Sequence, residues 1–265
     1  MPAIEWVFAF LLLGSFVGFM AGLLGIGGGG IIVPILTSLF LAQNFPIDVV
    51  VHLALGTSMA SIILTSFSSL RSHHSMNNVI WSIVRQMTPG ILIGTFFATF
   101  LIPYLSSIYL ASIFSAFMLL ISAQLFFDKK PKPSRQLKGR GHLTFAGTGI
   151  GSMSALISIG GGSMTVPYLI WHNINIKKAI GTSAAIGLPL SIAGTFGYII
   201  NGWDNTQDYS LGFVYLPAVL LISLTSFIIA PYGAKCAHKL PVPLLKKIFS
   251  VLLILLSIKM LASVA

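Results

Sequence analysis

The stretch IGGGGIIVPIL, Ile26–Leu36, sets four consecutive glycines in an apolar run with no Asp, Glu, Lys or Arg between Glu5 and Asp48. A second copy, IGGGSMTVPYL, stands at Ile159–Leu169, with Ser163 in place of the fourth glycine. Consecutive glycines break a helix, whereas helix packing uses spaced ones, as Gly14/Gly18/Gly22 and Gly147/Gly151 do. Each break should supply a tight reversal at positive φ and bare backbone for a ligand to approach. A helix restarting at Gly30 or Ser163 presents unpaired N–H groups and a positive dipole end, and two such ends converging suit an anion. One helix end contributes ~0.3–1 kcal/mol when exposed and ~2 kcal/mol when partly buried, so hydroxyl or cationic partners are also required.

Hydroxyls recur at matching places. ALGTSMA (Ala54–Ala60) answers AIGTSAA (Ala179–Ala185), which puts Thr57, Ser58, Thr182 and Ser183 in corresponding positions. Such hydroxyls can donate to an oxyanion, or can instead bond back to their own helix carbonyls. The candidate substrate contacts are therefore Gly27, Gly28, Gly29, Gly30, Thr57, Ser58, Gly160, Gly161, Gly162, Ser163, Thr182 and Ser183. His52 follows Asp48 at helical spacing and is a candidate titratable gate or an interfacial residue. Arg71, beside His73 and His74, could attract anions or simply mark the cytoplasmic side, and Arg85 either snorkels or guards an anion path.

The acids Glu5, Asp48, Asp128, Asp204 and Asp208 all fall at segment ends, leaving no buried carboxylate for a proton relay or cation cage. No catalytic residue, metal site or cofactor is expected. Gly25, Gly27 and Gly30 satisfy GxGxxG, but a long apolar helix precedes them where a dinucleotide fold needs a short strand. No Lys follows the glycines as a P-loop requires. The nucleophile-like GTSMA is accounted for by its sibling GTSAA.

These residues need elements to hold them. With 55% hydrophobic and 8% charged residues among 265, the chain reads as an all-α polytopic membrane protein. The net charge of +10 does not indicate nucleic acid, because many of the basic residues crowd into one loop, DKKPKPSRQLKGRG. The single Cys236 cannot form an intramolecular disulfide. Apolar segments are expected near 4–24, 30–42, 47–68, 79–103, 108–127, 143–158, 162–173, 176–200, 211–232 and 243–264. They divide into a first membrane repeat (1–127), a basic cytoplasmic linker (128–141) and a second membrane repeat (142–265). Weaker echoes pair Pro89 with Pro217 and SIFS (Ser112–Ser115) with KIFS (Lys247–Ser250).

If each glycine motif is the tip of a broken or re-entrant hairpin, followed by three transmembrane helices, charge falls as the positive-inside rule asks. Arg71, Lys177, Lys178 and the Lys235–Lys239 loop lie inside, while Asp48, Asp204 and Asp208 lie outside. The repeats are then inverted, with both termini outside, which is a transporter architecture.

With its paired glycine–proline and GTS motifs, the sequence resembles the sulfite exporter TauE/SafE family of bacterial membrane permeases, outside the linker 128–141. The resemblance implies a secondary transporter, an exporter of small organosulfur anions such as sulfite, sulfoacetate or other sulfonates, in a bacterial inner membrane. A passive anion channel, an importer of similar anions and an intramembrane enzyme remain the alternatives. The partners implied are the small anion and the lipid bilayer; oligomeric state is open. Single cysteines placed in 131–140 should react with an impermeant maleimide only from the cytoplasmic face, and those in 203–208 only from outside. Labelling of both from one face would overturn this topology.

Overall fold

The computed structural model describes residues 4–24, 28–127, 139–205, 207–237 and 242–264. Those residues form ten α-helices: α1 (Ile4–Leu24), α2 (Gly29–Ala42), α3 (Ile47–Ser75), α4 (Trp81–Thr99), α5 (Ser107–Phe126), α6 (Arg140–Leu156), α7 (Gly162–Trp171), α8 (Ile176–Asn201), α9 (Leu216–Ala237) and α10 (Val242–Val264). Gly27, residues 128–138 of the linker and Lys239 lie outside the described residues. Helix α6 starts at Arg140, inside the stretch expected to be linker. The described residues are 84% helical, and the protein is an all-α polytopic membrane protein. Among the described residues, seven helices are long and apolar enough to cross a bilayer. Helix α3, with 29 residues, extends ~43 Å, well beyond a ~30 Å hydrocarbon core. Helices α2 and α7, with 14 and 10 residues, reach only ~21 and ~15 Å and cannot span it.

The segment expected as helix from 211 begins differently. Strands β1 (Ser210–Leu211) and β2 (Val214–Tyr215) pair antiparallel, Ser210 opposite Tyr215 and Leu211 opposite Val214, and only then does α9 start. Gly212, at φ +58°, takes the first central turn position, where tight hairpins demand positive φ.

The helices pair in a pattern that exchanging the two sets of five carries largely onto itself. Helix α1 packs along α9 as α6 does along α4, and α2 lies on α3 as α7 does on α8; α3 meets α8 at the centre and α5 meets α10. The α5–α10 seam makes the exchange visible: Ser115 donates to the Ser257 carbonyl (3.1 Å) and Ser122 to the Ser250 carbonyl (2.8 Å). Since SIFS answers KIFS, Ser115 and Ser250 are counterparts, as are Ser122 and Ser257, so the two residue pairs are images of one another, although both donors lie on α5.

Spaced glycines set the other close contacts. A Cβ on Gly18 would sit 2.5 Å from the Ser226 Cα, and one on Gly151 2.5 Å from the Ile91 carbonyl oxygen. Gly14 lies on Ile222 and Gly147 on Met87, so Met87 and Ile222 correspond. Pro89, just past Met87, therefore answers Leu224, and the expected match of Pro89 with Pro217 does not hold in the packing. The side chains left outside the bundle, such as Phe97, Leu120 and Ile258, are apolar and suit a lipid surface.

Substituting Gly94, whose Cβ would meet the Thr148 carbonyl, should separate α4 from α6. Gly94→Val is expected to cost roughly 1–3 kcal/mol or more and to lower the melting temperature in detergent. Gly149→Ala meets nothing within 4 Å and should leave that temperature unchanged.

Candidate substrate site at the paired helix breaks

Between α6 and α7 the chain turns through Ser158, a non-glycine residue at φ +47°, before Gly160 and Gly161 lead into α7. The Ser158 hydroxyl donates to the Leu55 carbonyl of α3 at 2.7 Å. Gly28, at φ −63°, and Gly161, at φ −25°, precede α2 and α7, and neither helix has a side-chain cap. Two expectations change here. The helices restart at Gly29 and Gly162, one residue earlier than predicted, and the described glycines of the breaks do not supply positive φ. Their purpose is spatial. A Cβ on Gly29 would collide with the Ser158 carbonyl, so the absence of a side chain lets the first break seat directly on the second. Gly30 lies against Met118 and Leu253, inside the bundle.

Gly28, Gly160 and Gly162 border a cavity of ≈ 380 Å³ that runs to Ser72 and His73 at the end of α3. Its polar wall comes from the hydroxyls of Thr65, Ser66, Ser68, Ser69, Ser72 and Ser183, and its described lining contains no Lys, Arg, Asp or Glu. Space remains at Gly162, where a Cβ would meet only the Ser183 Oγ, at 3.7 Å. The cavity is therefore lined by bare backbone, uncapped helix starts and neutral donors, a set that can bind an anion without a countercharge.

The GTS triplets divide their labour. Thr57 Oγ1 accepts from the Tyr215 N–H at 2.9 Å, and Thr182 Oγ1 accepts from the Ile80 N–H at 3.0 Å. Tyr215 and Ile80 immediately precede α9 and α4, so each threonine ties down the start of a helix from the other half of the chain. Ser58 and Ser183, 0% and 2% exposed, have no hydrogen-bond partner among the described residues. The back-bonding that could have occupied these hydroxyls is made elsewhere, for example by Ser61 to Thr57. Ser163 faces away, into a separate ≈ 390 Å³ pocket between α5 and α7 lined with Phe117, Leu120 and Trp171.

The candidate gate and guide residues are not at this cavity. His52 is buried, and its Nε2–H donates to the carbonyls of Ile102 and Leu105 at 3.1 and 3.0 Å, pinning a 3-10 turn (Ile102–Tyr104) beside the Phe213 ring. Arg71 and Arg85 are exposed and do not line the cavity. His73 is the residue at the mouth. The hydroxyl ladder along α3 and the Ser158 turn are not among the contacts expected from the motifs. The ladder's signal is present in TSFSSLRS, Thr65–Ser72, where small polar residues recur at helical spacing in an apolar span.

An apolar-faced bundle with a polar cavity ending at interrupted helices defines a polytopic membrane transporter. The chain belongs to the sulfite exporter TauE/SafE family, whose model matches residues 10–260. It is similar to a "Probable membrane transporter protein" of Haemophilus influenzae, 40% identical over 253 residues covering 94% of this chain and 96% of the relative. Proteins given the same description in Methanocaldococcus jannaschii and Bacillus subtilis are each 30% identical, with 87% and 86% of this chain covered and 86% and 89% of theirs. No solved structure matches the chain.

The partnered and unpartnered hydroxyls should respond oppositely to removal. Thr182→Val strands the Ile80 N–H and should cost about 1–3 kcal/mol of stability. Ser183→Ala removes a hydroxyl that has no protein partner, so it should leave the melting temperature unchanged or higher while slowing transport. Gly162→Ala should fold and impair flux, whereas Gly29→Ala should lower the yield of folded protein, as read by size-exclusion chromatography.

Proposed function

We propose that the protein is a secondary transporter that exports small organosulfur anions, such as sulfite, sulfoacetate or other sulfonates, across the bacterial inner membrane, binding them at the two glycine breaks. The observation that carries this reading is the cavity at Gly28, Gly160 and Gly162, with the unpartnered Ser183 hydroxyl on its wall. Its neutral donors and lack of carboxylates favour anions over cations. Sulfite is taken from the family description, and the sulfonates are its organic analogues.

The two halves, 1–127 and 142–265, act as inverted repeats, joined by the cytoplasmic linker 128–141 and with both termini outside. Support comes from the α5–α10 seam, where counterpart helices run antiparallel, so that a twofold exchanging them also turns them over. A carrier is favoured over a channel because, among the described residues, the side opposite the cavity is packed. On the far side Met59 fills the space at Gly194, where a Cβ would come within 2.8 Å of it, and Tyr198 is fully buried.

Purified protein in liposomes loaded with sulfite, sulfoacetate or methanesulfonate should release at least one of them down its gradient, with a rate set by membrane voltage. Ser183→Ala should reduce that rate by about tenfold, the loss expected when one hydrogen bond to an anion is removed. No flux of any of the three would end the organosulfur reading.

A further inference from the structure

Ser58 presents a problem that the cavity does not answer. It is wholly buried and its hydroxyl has no partner among the described residues, yet it lies outside the cavity lining. A buried hydroxyl that exchanges water for nothing is destabilising, so its presence calls for a contact made in another state. Its counterpart in the second triplet is Ser183, which does border the cavity.

Carrying the alignment of the two triplets along α3 and α8 shows where the two sides differ. Ser66 and Ser69, on the cavity wall, correspond to Ser191 and Gly194, with Ser191 fully buried and Gly194 packed against Met59. Ala184, on the cavity wall, corresponds to Met59, whose longer side chain occupies the matching space. His73, at the mouth, corresponds to Tyr198, which is fully buried and donates to the Ala155 carbonyl at 2.8 Å. The breaks differ in the same sense. Gly162 looks across open space at Ser183, while its counterpart Gly29 is shut against the Ser158 carbonyl. Each of these elements of the open cavity thus has an image on the other side that is closed.

We infer that Ser58 is the oxyanion contact of a second half-site, the mirror of the Ser183 site. This half-site is closed in the present conformation by Met59 and Tyr198 and latched by the Ser158 bond to Leu55. It opens to the outer face when the Ser183 side closes, and the anion is handed between the two serines. The inference rests on the inverted-repeat reading proposed above. Ser158 is the switch point: its bond to α3 holds the second break under the first, and its positive φ is one that glycine adopts freely.

The test uses Ser58→Cys and Ser183→Cys, each in a Cys236→Ser background, with an impermeant maleimide applied to right-side-out and inside-out vesicles. Ser183→Cys should label from the cytoplasmic face and Ser58→Cys from the outer face. Adding Ser158→Gly, which removes the latch without opposing the backbone, should raise the Ser58→Cys rate by about tenfold and lower that of Ser183→Cys, as a shift between two states requires. If Ser58→Cys does not accumulate, Ser191→Cys reads the same space. Labelling of the Ser58 or Ser191 position from the cytoplasmic face, or none in either background while the denatured protein labels fully, overturns the inference. Cysteines at 131–140 and 203–208 in the same vesicles separate the two failures. If those report one face, the inverted-repeat reading has failed. If they report opposite faces and the outer site stays silent, only the half-site has failed.

Discussion

A polypeptide cannot leave amide groups unpaired in hydrocarbon, and the interrupted helices of this protein are the places where that constraint bears hardest. Helices α2 and α7 begin without a side-chain cap, so their first N–H groups need protein, water or a ligand. The surrounding fold follows from that need. The first break is pressed onto the second by a side-chain-free contact at Gly29, and the remaining donors border a cavity. Long helices α3 and α8 pass on either side, carrying the hydroxyls that such a cavity requires.

The same constraint explains why the halves hold one another. A helix starting within reach of the membrane must have its end satisfied, and here the oxygen for α9 comes from Thr57 while that for α4 comes from Thr182. Each half thus completes a helix start of the other. At the α5–α10 seam bonds also cross between the halves, with two α5 serine hydroxyls donating to α10 carbonyls. A net hydrogen bond contributes only about 0.5–1.5 kcal/mol, but a stranded buried amide costs more, so these cross-half bonds specify the assembly more than they glue it.

Much of this was legible in the residues. Most segment ends agreed because turns carry Pro, Asn and Gly, although α3 runs on to Ser75 past the expected 68, α4 stops at Thr99 short of 103 and 211–232 shifted to Leu216–Ala237; the two short arms were visible as apolar runs too brief to span. The GTS and glycine–proline pairs located the parts that now converge. What was not legible depended on distance through space. Nothing in the sequence separates Thr57 from Ser58, since the division of labour comes from Tyr215 arriving beside one and not the other. Positive φ fell on Ser158 because that turn is fixed by its bond to Leu55, while the glycines answered contact distance. The pairing of Pro89 with Pro217 failed because residue identity is a poorer guide than the register set where Gly14 and Gly147 meet their partner helices. The hairpin at 210–215 was hidden by residues as apolar as those of the helix that follows it.

The chemistry of the cavity also bears on how a carrier can work. An arginine beside a bound anion in a low-dielectric interior attracts it strongly, and such a site gives up its ligand slowly. The wall described here has no such charge; its donors are serine and threonine hydroxyls and the ends of two helices. Each is weak alone, with a helix end contributing at most ~2 kcal/mol. Binding by several weak donors depends on all of them converging, so at the proposed site a small separation of the two breaks would release a ligand without any residue changing charge. For a carrier whose two halves must part to discharge, a site assembled from both halves couples release to motion directly. Placing the strong cations Arg71 and Arg85 away from that site is consistent with the same economy of binding.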